Sequence, residues 1–119
     1  MLAHQSIRPA IVAVAIATLT GCPAPGKGCK ANRGYEHSEP VIGALERYRD
    51  DHGVYPDALA DLVPTYISAE ALQPPVQENY GFGYRRVGES YELLFAYVGP
   101  GMNRCMYTPA AGWKCWGYF

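Results

Sequence analysis

Hydrophobic and polar positions divide the chain into four zones. Residues 10–19, AIVAVAIATL, form an apolar run broken only by Thr18. A bilayer span needs about 20 such residues, so this run is too short to cross one. Residues 23–35, PAPGKGCKANRGY, hold almost nothing apolar and read as a flexible linker. In residues 36–52, Val41, Ile42, Leu45 and Tyr48 recur at helical spacing, with Glu46, Arg47, Asp50 and Asp51 filling the other side. This predicts the main helix. Ser38 or Glu39 is placed to cap its start, Pro40 to sit in its first turn, and Gly53 to end it in the left-handed conformation. Pro56 forces Tyr55 into an extended shape. Asp57 can then cap a short helix over residues 58–63, closed by Pro64, and residues 65–72 can form another turn before Pro74-Pro75.

The last zone changes to a period of two. Tyr80, Phe82 and Tyr84 alternate with Gly81, Gly83 and Arg85, and Val87-Gly88-Glu89-Ser90 makes a turn. The partner run places Leu93, Phe95 and Tyr97 on one face and Leu94, Ala96 and Val98 on the other, which is a hairpin pattern. A second hairpin joins residues 104–108 to 113–118 around Pro109-Ala110-Ala111-Gly112. A register setting Cys105 opposite Cys115 also sets Tyr107 opposite Trp113, a sensible cross-strand pair. The expected fold class is α+β, with one main N-terminal helix on a small antiparallel sheet and a short second helix. The chain is 119 residues, one domain's worth, and its net charge of -1 gives no basic face for nucleic acid.

The N-terminus has the order of a targeting segment: Arg8 without an acid, the apolar run, then Leu19-Thr20-Gly21-Cys22. This last stretch resembles the lipobox of bacterial lipoproteins. The resemblance implies cleavage before Cys22 and a diacylglyceryl thioether on its sulfur. The expected organisation is therefore a signal peptide over 1–21, a lipidated cysteine and linker over 22–35, and a domain over 36–119. One acyl chain holds a protein only reversibly, whereas two or three on one cysteine anchor it firmly. Pro23, rather than Asp, follows the cysteine. By resemblance to Gram-negative lipoproteins, that favours the outer membrane, facing the periplasm. The membrane is thus one expected partner.

Export permits disulfides. Cys105 and Cys115 look like one, in a strand-rich tail. Cys29 is then left over. It is a free thiol, or it pairs with another chain or with one of the tail cysteines. A zinc site is the rival reading, and a weak one: there is no Cys-x-x-Cys, and His37 and His52 lie far along the chain on the helix. No metal or cofactor is expected.

Residues 41–63 carry a second resemblance. Ala44-Leu45, Tyr48, Gly53-Val54-Tyr55-Pro56, Leu59 and Leu62-Val63 are similar to the soluble part of the type II secretion major pseudopilins and their type IV pilin-like relatives. Phe82-Gly83-Tyr84 after Pro74-Pro75 resembles that family's aromatic-x-Tyr strand. The likeness spans residues 40–98 and implies a pilin-like head. The family's long N-terminal filament helix has no counterpart beyond a leader expected to be removed. Its calcium loop would correspond to Gly99-Pro100-Gly101-Met102-Asn103, which holds no acid.

Asp50-Asp51-His52 reads as the solvated end of a helix rather than a site. Ser38, Ser68 and Ser90 fall at caps or turns, and no nucleophile elbow, phosphate loop or metal-spaced His pair occurs. The sequence therefore points to a protein that is not an enzyme. The denser group is aromatic. Tyr84, Trp113, Trp116 and Tyr118, with Arg85 and Arg86, are the candidate partner surface, because aromatic and arginine side chains dominate interface energetics. The expected function is a lipid-anchored envelope component that docks another envelope protein. The alternatives are a glycan- or cell-wall-binding module and a true pseudopilin subunit.

Overall fold

The computed structural model describes residues 24–73, 81–99 and 101–118, with the side chain of Tyr118 left aside. Cys22, the expected signal peptide, Pro74-Pro75 and Tyr80 lie outside the described residues. The architecture is α+β: one long helix packed on a four-stranded antiparallel sheet.

The helix, α1, spans Cys29–His52, about 36 Å at 1.5 Å per residue. It therefore begins seven residues before the expected start, and the second half of the expected linker is helical. Its buried stripe is Ala31, Gly34, Ser38, Val41, Ala44 and Leu45. The stripe has helical spacing throughout, but its first half is made of small residues, which carry little hydrophobic signal. Gly34 is the reason the chain there looked like linker and the reason it packs. A Cβ at that position would lie 2.1 Å from the Phe95 ring. Ser38 is not a cap; it is buried mid-helix and its Oγ donates back to the Gly34 carbonyl at 2.7 Å. Pro40 is likewise inside the helix, not in its first turn. It removes the N–H that would pair with the carbonyl of exposed Glu36, which water can satisfy. The expected stop is observed. Gly53 has φ 80°, and its N–H bonds the Arg49 carbonyl at 2.7 Å.

Tyr55 and Pro56 are buried after this turn. The Tyr55 hydroxyl donates to Glu46 Oε1 at 2.8 Å and the Arg49 guanidinium lies 5.2 Å from its ring centroid. A single 3-10 turn, Leu59–Leu62, follows in place of the expected helix, and a second, Glu70–Leu72, comes later. Asp61, not Asp57, receives the Ala58 N–H, at 3.3 Å.

The sheet is a meander in the order β1-β2-β3-β4: β1 is Gly83–Val87, β2 Ser90–Gly99, β3 Gly101–Thr108 and β4 Gly112–Tyr118. Both expected hairpins form, and β3 starts three residues earlier than residue 104. Cys105 faces Cys115 and Tyr107 faces Trp113, in the anticipated register. The two cysteines are bonded, with Cα atoms 4.1 Å apart. Closing that loop, ten residues in separation, contributes about 3 kcal/mol in the chain-entropy picture. Cys29 is exposed and free, so neither tail cysteine is its partner.

Strand β2 sorts its side chains strictly. Tyr91, Leu93, Phe95 and Tyr97 are buried against α1, while Leu94, Ala96 and Val98 point to the other face. The core has two parts. One joins Val41, Ala44 and Leu45 to Tyr55, Leu62, Ile67, Tyr91 and Leu93; the other joins Ala31 to Phe95, Tyr97 and Cys105.

Candidate functional site

The register divides the anticipated partner surface. Tyr84 pairs with Leu93 and Trp113 with Tyr107, so both lie on the helix-facing side. Tyr84 packs against the core, and its hydroxyl donates to the Pro56 carbonyl at 2.6 Å. Burial pushes its pKa up to about 12. Trp113 sits edge-on to Tyr35 and Phe95, with centroids 5.1 and 5.2 Å apart. Both are partly buried side chains packed against the core on the helix side, away from the open face where a partner surface was expected. Arg86 also leaves the set. It binds Asp57 at 3.0 Å and donates to the Tyr55 carbonyl at 3.3 Å, fastening the loop after α1 to the sheet.

Arg85 and Trp116 remain on the opposite, helix-free face. Arg85 pairs with Glu92 across the strands. Trp116 is opposite Arg104, and Tyr118 pairs with Met102 in the ladder. Leu94, Met106 and Lys114 form the neighbouring row. No described element of the chain packs over this face. It is an apolar strip of Leu94, Ala96, Val98, Met102, Met106 and Trp116, crossed by the cations Arg104 and Lys114. Sequence reading overlooked Leu94, Met102 and Met106. Both faces of β2 are apolar, so nothing in the pattern says which one the helix covers.

The perturbed groups are phenols, with Tyr91 the most deeply buried of them. Tyr91 Oη is buried without a hydrogen-bond partner, and burial, reinforced by Tyr107, raises its pKa far above the usual phenol range. Tyr66 is raised by its hydrogen bond to Asp51, at 2.7 Å, where the Tyr48 and His52 rings also stack. Asp50-Asp51-His52 is thus a helix end tied to Tyr66. Cys105 and Cys115 are bonded to each other and so are not thiolate ligands; among the described residues no group of three His, Cys, Asp or Glu is placed to hold a metal ion. No helix among the described residues is long and apolar enough to cross a membrane.

The start of the described chain has its own geometry. The Gly26 N–H donates to the Tyr97 hydroxyl at 2.9 Å, and the Gly26 carbonyl accepts from the Tyr35 hydroxyl at 2.9 Å. The Lys30 ammonium donates to the Val98 carbonyl. Residues 24–30 are therefore pinned to the sheet end that carries the β2–β3 turn, which overturns the expectation of a flexible linker there. Tyrosine hydroxyls supply the pins, and polar partners so distant in sequence leave no local signal. Comparison with protein-family models, with curated proteins and with solved structures gives no match to this chain.

Proposed function

We propose that the protein is a lipid-anchored component of the cell envelope whose non-catalytic head docks another envelope protein through the helix-free face of the sheet. The observation that carries this reading is a juxtaposition. A lipobox-like Leu19-Thr20-Gly21-Cys22 ends two residues before Ala24, where the described chain begins, fastened to one end of a folded head. Among the described residues, none packs over the helix-free face of the sheet. That face offers Leu94, Met106 and Trp116 as apolar contacts, with Arg104 and Lys114 beside them, so it suits a partner with an apolar centre and an acidic rim. The pseudopilin resemblance supports the same reading at the level of architecture: α1 stops at Gly53, Val54-Tyr55-Pro56 and short 3-10 turns come next, and an antiparallel sheet follows later in the chain.

Two measurements test it. The intact mass of the protein extracted from membranes should correspond to a chain starting at Cys22 with acyl groups attached; a mass retaining residues 1–21 overturns the anchor. A photo-crosslinking residue at Trp116 should give a discrete adduct that Arg104→Glu abolishes. The same residue placed at exposed Glu39 on α1 should give none. Identical adducts at both positions would refute docking by the sheet face.

A further inference from the structure

We propose that the end of the head formed by the start of α1 and the β2–β3 turn lies directly on an anionic lipid surface, so that the domain stands on the membrane in one orientation. This rests on the reading of Cys22 as the lipid attachment site, and it adds a second contact to that anchor.

Reach comes first. Only Pro23 lies between Cys22 and Ala24, and two residue steps of about 3.5 Å reach at most about 7 Å. The pins from Gly26 to Tyr97 and Tyr35 leave no slack after them. A lipid on Cys22 would therefore hold this end of the head, and no other, at headgroup level.

Charge selects the same end. Lys27, Lys30 and Arg33 are exposed, and residues 24–35 contain no acid. The N-terminal end of α1 adds the positive pole of the helix. Lys30 is held over the turn by its bond to the Val98 carbonyl. The acids Asp50 and Asp51 sit at the far end of α1, about 30 Å from Lys30 at 1.5 Å per residue. Lys27 and Lys30 also line a cleft of about 380 Å³, shared with Val98, Gly99 and Asn103, that is open to a phosphate-bearing headgroup.

Apolar exposure completes the match. Val98 and Met102 are 48% and 46% exposed and face each other across the strands beside the turn. Val54 and Val87 are as exposed at the opposite end of the molecule, yet Val54 sits beside Glu89 and follows Asp50 and Asp51. Anionic lipid would repel those acids. Cations with adjacent apolar side chains are the composition that suits the headgroup–acyl boundary.

The free thiol of Cys29 lies in this end and provides the probe. The full-length acylated protein, labelled there with a fluorophore, is reconstituted into vesicles containing a lipid that bears a headgroup quencher. Quenching should be strong in vesicles of phosphatidylglycerol mixed with phosphatidylcholine, and weak in phosphatidylcholine alone or in high salt. Each basic residue at such a surface contributes about fivefold. Lys27→Gln with Lys30→Gln should therefore lower the ratio of docked to undocked heads about 25-fold. Lys27→Gln alone should lower it about fivefold, and among the described residues the Lys27 side chain holds no other part of the fold. A label at Asp50→Cys in a Cys29→Ser background should stay unquenched. Equal quenching in neutral and anionic vesicles, or no response to Lys27→Gln, overturns docking even when the mass proves acylation. A chain without acyl groups instead removes the anchor on which the docking depends.

Discussion

Replacing Gly34 with alanine separates three pictures of the chain by the sign of one measurement. Were residues 29–35 a linker, the change would be close to neutral. Were they an exposed helix, alanine would stabilise by about 1 kcal/mol through helix propensity. In the structure, the new Cβ would meet three Phe95 ring atoms at 2.1, 2.4 and 2.5 Å. Phe95 has little room to retreat, being 5% exposed and flanked by Tyr35 at 5.5 Å and Trp113 at 5.2 Å. Overpacking of this kind costs about 1–3 kcal/mol, and contacts this short place the site near the upper figure. Set against the propensity gain, the net expectation is a destabilisation of about 2 kcal/mol. The measurement is urea unfolding of the oxidised protein, comparing midpoints at unchanged slope. Phe95→Leu makes room, so Gly34→Ala in that background should become neutral or stabilising. A stabilised Gly34→Ala single variant would refute the close approach of α1 to β2.

Three further outcomes are expected. Cys115→Ser should lower stability by about 3 kcal/mol, and a reductant should have the same effect on the parent protein and none on the variant. Trp113→Ala should cost about 3 kcal/mol or more through lost core packing, whereas Trp116→Ala on the open face should cost well under 1 kcal/mol; equal unfolding midpoints for the two variants would contradict the assigned faces. Finally, Tyr84 has its pKa raised from 10.0 to about 12, and burial raises Tyr91 as well. Below pH 10 both states keep these phenols protonated and nothing is lost. As pH climbs from 10 towards 12, the unfolded chain releases protons that the fold retains, so stability falls. A tyrosinate absorbance titration should show buried phenols ionising only together with unfolding, and Tyr84→Phe should flatten the alkaline loss.

The legible parts of this fold are those where side-chain size and period agree. Val41, Leu45 and Tyr48 announce the second half of α1, Gly53 its end, the alternation in β2 its hairpin, and the Cys105–Cys115 pairing the register of β3 with β4. The first half of α1 was hidden because its stripe is Ala31, Gly34 and Ser38: close packing there comes from absent side chains, and Ser38-Glu39-Pro40 imitates a helix start. The candidate surface was half legible for a different reason. Aromatic residues suit a core and an interface equally well, so Tyr84 and Trp113 could be placed only once the helix had chosen a face of β2. The pins at Gly26 depend on Tyr35 and Tyr97, the latter 71 positions away, and no local pattern encodes them.

The clasp around Gly26 has a mechanical consequence. The Tyr35 hydroxyl that grips the Gly26 carbonyl also lies 3.3 Å from Cys115 Sγ, and Tyr97 belongs to β2, an inner strand. A pull on the chain ahead of Ala24 is therefore shared among helix, inner strand and cross-linked hairpin, instead of fraying the helix from its tip. Such a load enters beside the Cys105–Cys115 disulfide, so a covalent cross-link backs the hydrogen bonds of the clasp.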